Sequence, residues 1–308
     1  MTTHNDSIGY LLVGHGTRKA EGARQLEGVF EQFSQQLPAG MAAYCFLELA
    51  EPSIPAAIED LRRRGIKRIV VVPLLLFTAD HALADIPDAV QAAAEKFGVE
   101  VLGQTSSLGC DPAILQLSAM RFRDAVCTRS VAEATRDCST ASNTGTGTGG
   151  IMTPGAANKP CSECVLTAPS GELCTGFFCS QTALVFVGRG SKSDYATSQM
   201  RRFAELRRNL CAVRWQETCF LHGQTPTLDE ALDALIRRPE PIAVIQPHLV
   251  FEGLLMDQLR SKLEQCRAAA PHKSWILVDT LGTDHSLAET LATIAQNAVA
   301  AVAIESNV

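Results

Sequence analysis

The sequence has few charged residues, few aromatic residues and no long apolar run, and each shortage excludes a class of protein. Charged residues make up 19% and aromatic residues 6% of the 308 residues. No segment reaches the roughly 18 consecutive apolar residues of a membrane-spanning helix. The formal net charge is -6, and neither a basic stripe nor an aromatic RNA-binding motif is present, so we expect no nucleic-acid partner. The polar N-terminal segment lacks the apolar stretch typical of a signal peptide, so we expect a cytoplasmic protein with no membrane contact.

The cysteine content raises a separate question. Eleven cysteines in a chain expected to be cytoplasmic argue against a disulfide framework. The Gly/Thr/Ser-rich composition of the segment at 139–160 is typical of a flexible linker. Four cysteines follow directly after this segment. These are Cys161, Cys164, Cys174 and Cys179. Four thiolates at these spacings could hold zinc or an Fe–S cluster, or they could be free thiols, and the sequence leaves both alternatives open.

The chain repeats itself. When the sequence is shifted by 174 residues, Gly14–Phe77 aligns without a gap on Gly188–Phe251 (188 minus 14 is 174), with 16 identities in 64 positions. Unrelated segments of ordinary composition would share about four. The sequence therefore predicts a duplicated domain, with an N-terminal lobe over 1–128, a linker and Cys-rich insert over 129–181, and a C-terminal lobe over 182–308.

Each half alternates short apolar segments with amphipathic ones. In the first half we predict strands at 8–13, 41–47, 69–75 and 99–103, and helices at 20–36, 52–64, 81–97 and 111–127. The second half has strand-like segments near 183–187, 213–220, 242–246 and 275–279. Continuous apolar strands between amphipathic helices indicate a parallel sheet covered on both faces. We therefore expect an α/β fold of two tandem duplicated lobes, each a four-stranded parallel sheet flanked by helices.

Polar side chains that can carry chemistry follow the first three predicted strands. His15 follows the first, Glu48 the second and His81 the third, at equal spacings of 33 residues (48 minus 15, and 81 minus 48). Parallel α/β sheets bind ligands beyond the carboxyl ends of their strands, so these three should meet at one edge. Imidazoles suit Fe, Co, Ni and Zn, and a carboxylate can ligate a metal or accept protons. Asp85, one helical turn after His81, could orient that imidazole. The alternative is a lone turn histidine at 15 and an ordinary helix-start residue at 81.

The second half lacks this set. At the same offset His15 becomes Arg189, Glu48 becomes His222, and no histidine aligns with His81. An arginine stays protonated and cannot ligate a metal. The second lobe is therefore expected to be degenerate, with a single active site in the first.

Three segments of the first half resemble a known family. They are LLVGHGTR at 11–18, CFLELAEPSIPAAI at 45–58 and VVVPLLLFTADHALADIP at 70–87. Together they resemble the class II chelatases, in particular the sirohydrochlorin cobaltochelatases and ferrochelatases in their long, two-lobed form. The resemblance implies two lobes of parallel sheet facing across a cleft. It also implies that His15 and His81 bind the metal, with Glu48 as an acidic group beside them.

The activity implied by the resemblance is the ATP-independent insertion of Co2+ or Fe2+ into sirohydrochlorin, a lyase-type reaction of cobalamin or siroheme biosynthesis. The partners would be sirohydrochlorin and the divalent ion, and no cofactor beyond that ion would be required. The catalytic residues would be His15, Glu48 and His81. The substrate-binding residues would be Gly16, Thr17, Phe77 and Thr78.

Two other functions compete with this one. A carrier that binds metal or tetrapyrrole without turnover needs the same ligands, so turnover would separate it from a chelatase. A histidine phosphatase is the remote alternative, because Gly-His-Gly-Thr is similar to the Arg-His-Gly-x-Thr motif of that class. Here Gly14 stands where that motif has its phosphate-binding arginine.

Overall fold

Strands and helices alternate along the whole described chain of the computed structural model, which covers residues 8–78, 80–140, 181–211 and 213–305. The first half contains β1 (Ile8–Gly14), α1 (Ala20–Gln35), β2 (Ala42–Phe46), α2 (Ile54–Arg63), β3 (Arg68–Pro73), α3 (Asp80–Phe97), β4 (Glu100–Gln104) and α4 (Pro112–Thr140). The second contains β5 (Thr182–Gly188), α5 (Asp194–Arg208), β6 (Trp215–Phe220), α6 (Leu228–Arg237), β7 (Ile242–Pro247), α7 (Leu254–Ala269), β8 (Ser274–Leu277) and α8 (His285–Glu305).

Two four-stranded parallel sheets form the core of the fold. Their strand orders are β2-β1-β3-β4 and β6-β5-β7-β8. The registers also repeat at the offset seen in the sequence, since Val13 lies opposite Cys45 in the first sheet and Val187 lies opposite Cys219 in the second. The predicted fold class and the internal repeat are both confirmed.

The central strands are covered on both faces. Alternate residues of β1 point to opposite sides, and neither Leu11 nor Leu12 is exposed to solvent. Leu11 packs with residues of α2 and α3, whereas Leu12 packs with residues of α1 and α8. Burial on both faces explains why the strand is apolar without the alternation of a half-exposed one.

The last helix of each half packs on the sheet of the other half. Phe122 of α4 belongs to a buried cluster with Leu184 of β5. Leu291 of α8 belongs to the cluster that contains Val72 of β3. Each sheet is therefore closed by a helix from the other half, and the two halves form one folding unit.

Helix α4 continues beyond the predicted end of the first lobe. It runs to Thr140, whereas the sequence analysis ended the helix at 127 and began the linker segment at 129. Residues 128–140 contain neither glycine nor proline, so nothing in them stops a helix.

The Cys-rich set lies outside the described residues. Cys161, Cys164, Cys174 and Cys179 all fall in the undescribed range 141–180. The cysteines with described side chains are free thiols, and these are Cys45, Cys110, Cys211, Cys219 and Cys266. No helix in the described ranges has both the length and the apolar character needed to cross a membrane.

Candidate functional site

Two neighbouring strands bring His15 and Glu48 together at the carboxyl edge of the first sheet. Beyond the ends of β1 and β2, the Leu47 N–H donates to the Gly14 carbonyl at 2.8 Å and the Glu48 N–H donates to the His15 carbonyl at 3.2 Å. The two side chains then approach each other, with 3.6 Å between His15 Nε2 and Glu48 Oε1. Both side chains are about half exposed, at 44% and 53%, so a ligand can reach them.

Gly16 makes this close approach of the two loops feasible. Its φ is +106°, a backbone conformation that residues with a Cβ rarely adopt. A Cβ on Gly16 would lie 1.7 Å from the Glu48 carbonyl oxygen. The second glycine of the Gly-His-Gly motif therefore places the Glu48 loop against the His15 loop. Its predicted contact with substrate stays a prediction.

The surroundings of His15 favour a neutral imidazole. Partial burial lowers its pKa from the usual 6.5, and the positive charge of Arg189 lowers it further. The carboxylates of Glu48 and Asp85 act in the opposite direction and are outweighed. A neutral imidazole has a free lone pair at neutral pH, which is the form that binds a divalent metal.

His81 lies in the first turn of α3, just after the loop that follows β3, but its side chain is outside the described part of the structure. The structure thus brings His15 and Glu48 together and leaves the position of the second imidazole a prediction. Where side chains are described, no group of three His, Cys, Asp or Glu is placed to hold a metal ion. Asp85 is exposed on α3, and its charge raises the pKa of His15, while its role in orienting His81 stays a prediction.

Two of the predicted substrate-binding hydroxyls already have partners within the protein. The Thr17 hydroxyl accepts from the Lys19 N–H at 3.1 Å, which fixes the turn before α1. The Thr78 hydroxyl donates to Ser107 Oγ at 3.0 Å. Their predicted contacts with substrate remain predictions, and the structure gives each residue a role in holding its own loop.

Phe77 faces the second half of the chain. Its ring centroid lies 6.0 Å from that of Phe203 and 5.4 Å from that of His248. The partly buried ring thus joins the core between the halves. Its predicted role as a wall for the substrate stays a prediction.

The structure also reveals a buried histidine that the sequence analysis did not single out. His248 follows β7 and is 2% exposed, with its ring centroid 4.1 Å from that of Phe203. Neither ring nitrogen has a hydrogen-bond partner among the residues described. Burial, with a smaller contribution from the charge of Arg207, lowers the pKa of His248 to about 3. The sequence repeat gives one indication that this position is unusual, because the equivalent residue of the first half is the apolar Leu74.

The halves meet beside the His15 loop. The Gln25 side chain accepts from the Glu252 N–H at 2.8 Å, and Lys19 forms an ion pair with Asp257. These contacts join α1 to the loop after β7 and to α7, at the carboxyl edges of both sheets. The site therefore lies where the two carboxyl edges face each other.

Gly14 occupies the position at which a histidine phosphatase would have its arginine. A Cβ on Gly14 would lie 2.8 Å from Leu26 Cδ2, inside the core of the first half. A larger side chain at this strand end would have to displace the Leu26 side chain.

Comparisons with known proteins point to one family. The family model described as CbiX matches residues 9–125 and again residues 183–298, one match in each half. The chain is similar to a sirohydrochlorin ferrochelatase of Priestia megaterium, at 28% identity over 282 residues, which span 91% of this chain and 86% of the relative. It is also similar to a sirohydrochlorin cobaltochelatase of the same organism, at 22% identity over 83% of this chain and 68% of the relative.

Solved structures that are similar to this chain have the same fold. SirB from Bacillus subtilis with Fe3+ aligns with a TM-score of 0.70 at 21% identity, over 95% of both chains. The sirohydrochlorin chelatase SirB from Bacillus subtilis subspecies spizizenii, in complex with cobalt, aligns with a TM-score of 0.66 at 20% identity, again over 95% of both chains. The architecture of two facing lobes is therefore shared with metal-bound proteins.

Proposed function

Because the chain belongs to the CbiX family, we propose that it is a sirohydrochlorin chelatase, which inserts a divalent metal ion into sirohydrochlorin without ATP. The observation that carries the proposal is the pair formed by His15 and Glu48, with 3.6 Å between Nε2 and Oε1 at an open sheet edge. A metal ligand and a proton acceptor are the two groups that this reaction needs in one place.

The reaction exchanges one divalent ion for two pyrrole protons. His15 would hold the incoming ion on the open side of the site, together with the predicted ligand His81. Because only a few protein side chains would bind the ion, its other coordination positions stay free for the pyrrole nitrogens. Glu48 would accept the protons as the nitrogens bind the metal and would release them to solvent, which reaches its half-exposed side chain.

We propose Fe2+ and Co2+ as the candidate ions. Similar proteins carry the names ferrochelatase and cobaltochelatase, and the solved SirB structures contain Fe3+ and cobalt. Imidazole and carboxylate ligands accept both metals, because selectivity among such ions follows geometry and supply. The product would then enter siroheme or cobalamin synthesis, in the cytoplasm.

The proposed reaction needs no cofactor beyond the substrate ion. Zinc or an Fe–S cluster on Cys161, Cys164, Cys174 and Cys179 stays a prediction beside that of free thiols. Metal and acid-labile sulfide analysis of the anaerobically purified protein would decide between them. A stoichiometric metal that is lost in a Cys161→Ser/Cys164→Ser variant would establish the metal site.

The test of the proposed function is anaerobic conversion of sirohydrochlorin, followed by its absorbance, with Co2+ and Fe2+ supplied separately and the enzyme limiting. We expect many turnovers per protein with at least one of the ions, above the rate without enzyme. Tight binding of pigment or metal without acceleration would overturn the enzyme proposal in favour of a carrier.

A further inference from the structure

The second half keeps the geometry of the site loop while changing its chemistry. Gly190 has a φ of +84°, and a Cβ there would lie 1.8 Å from the His222 carbonyl oxygen, as Gly16 packs on Glu48 in the first half. The His222 N–H donates to the Arg189 carbonyl at 3.1 Å, which repeats the hydrogen bond between Glu48 and His15. The same loop therefore presents arginine where the first half presents the imidazole of His15.

Arg189 is exposed and has no carboxylate partner within salt-bridge distance among the described side chains. Two more exposed cations, Arg18 and Lys192, occupy equivalent positions on the two loops and likewise have no described ion-pair partner. Arg24 differs in this respect, since it forms an ion pair with Glu21. Exposed cations without a described ion-pair partner, at the carboxyl edge of a sheet in a protein of net charge -6, can attract an anionic ligand.

Arg189 directly follows β5, at the carboxyl edge of the second sheet. The contacts of α1 with Glu252 and Asp257 hold the two carboxyl edges face to face. A ligand bound at His15 would therefore approach the carboxyl edge of the second sheet, where the Arg189 loop lies.

Two exposed apolar side chains lie at the carboxyl edge of the second sheet. Tyr195, in the first turn of α5, is 61% exposed, and Leu254, at the start of α7, is 65% exposed. Residues of α5 pack with Phe186 and residues of α7 pack with Val185, so the two helices lie on opposite faces of the sheet and the two side chains flank its edge.

We propose that Arg189 binds a peripheral carboxylate of the tetrapyrrole, so that the first copy of the loop holds the metal and the second holds the macrocycle. The proposal rests on the proposed function, because it takes sirohydrochlorin as the substrate. The planar guanidinium donates two parallel hydrogen bonds to a carboxylate, which fixes the orientation of the ring as well as its affinity.

The test compares Arg189→Gln and Arg189→Lys with the full-length wild type. Arg208→Gln is the matched control, because Arg208 is exposed at the far end of α5, toward the opposite edge of the same sheet. Binding of metal-free sirohydrochlorin is titrated anaerobically by fluorescence quenching, and Co2+ binding is measured separately without pigment. Loss of a charge-assisted hydrogen bond should weaken pigment binding by about tenfold or more in Arg189→Gln. Arg189→Lys should keep part of the affinity, and the control should match the wild type.

The methyl-ester form of the pigment provides the decisive comparison. Its side chains carry no charge, so the wild type and Arg189→Gln should bind it equally, and Co2+ binding should be the same in both proteins. Wild-type affinity of Arg189→Gln for the acid form, or an equal loss for acid and ester, would overturn the role of Arg189. A wild type that neither binds nor converts sirohydrochlorin would instead overturn the proposed function.

Discussion

The ring centroid of Phe122, on the last helix of the first half, lies 4.7 Å from the guanidinium carbon of Arg207, on the first helix of the second half. Neither residue is exposed to solvent. Arg207 also lies 5.5 Å from the ring of Phe186, a residue of the second sheet. The arginine is therefore held between aromatic rings from both halves, where cation–π attraction adds to burial.

Phe122→Ala should destabilise the whole protein. Removing a fully buried ring costs about 3–5 kcal/mol, since the cavity is only partly refilled. Because α4 closes the second sheet, we expect one cooperative unfolding transition at a lower urea midpoint. Phe122→Leu keeps more of the side-chain volume, so its free energy of unfolding should fall clearly less than that of Phe122→Ala. Two separate transitions in urea would contradict the exchange of helices between the halves.

Gly16→Ala should impair activity far more than a glycine substitution elsewhere. The left-handed backbone alone costs about 1–2 kcal/mol for a residue with a Cβ, and the new methyl group would displace the Glu48 backbone. A displacement of this kind at a site can lower the rate by about a hundredfold. Gly40→Ala is the control, because Gly40 has a φ of +77° and no atom within 4 Å of the added Cβ. The free energy of unfolding should fall by a similar amount in both variants because of the backbone conformation. Only Gly16→Ala should lose most of its turnover.

His15→Ala should remove metal insertion without unfolding the protein. Loss of the proposed ligand should lower the rate by at least about a hundredfold. The side chain is 44% exposed, so the melting temperature should hardly change. His272→Ala is a suitable control, since His272 is exposed just before β8, at the opposite edge of a sheet from the site. Wild-type turnover by His15→Ala would reject the site assignment.

His248→Leu should flatten the dependence of stability on pH. The folded state keeps His248 neutral down to a pKa of about 3, whereas the unfolded state takes up a proton near pH 6.5. Wild-type stability should therefore fall as the pH drops below 6.5, by up to roughly 1.4 kcal/mol per pH unit from this residue, until about pH 3. Leucine, which the first half carries at the equivalent position Leu74, should remove that slope.

Urea midpoints at pH 7 and pH 5 would test this prediction, because carboxylate contributions are common to both proteins and cancel in the difference. After burial, the charge of Arg207 also lowers the His248 pKa, and the substitution leaves that arginine in place. At pH 7 His248→Leu should be at least as stable as the wild type, because it removes two buried nitrogens for which no described residue provides a hydrogen-bond partner. Equal slopes in both proteins would show that His248 does not account for the acid sensitivity.

The sequence by itself determined most of the elements, the duplication and the sheet edge at which the site is predicted. Apolar runs of strand length and helices with one apolar face are local features, so they predict the strands and helices of the first half within a few residues, except for the end of α4, which runs on to Thr140. The constant offset of 174 residues then predicts that both halves repeat one sheet. The rule that parallel sheets bind ligands at their carboxyl ends was sufficient to select His15 and Glu48, which the structure places 3.6 Å apart.

The tertiary structure decided how the halves share their helices and which side chains face each other. An amphipathic helix shows in its sequence that it has an apolar face, but not which sheet will cover that face. The exchange of α4 and α8 depends on contacts between residues far apart in the chain, such as Phe122 with Leu184. The effect of the Arg189 charge on His15 and the burial of His248 depend on the same long-range packing, because neither follows from the residues that are near in sequence.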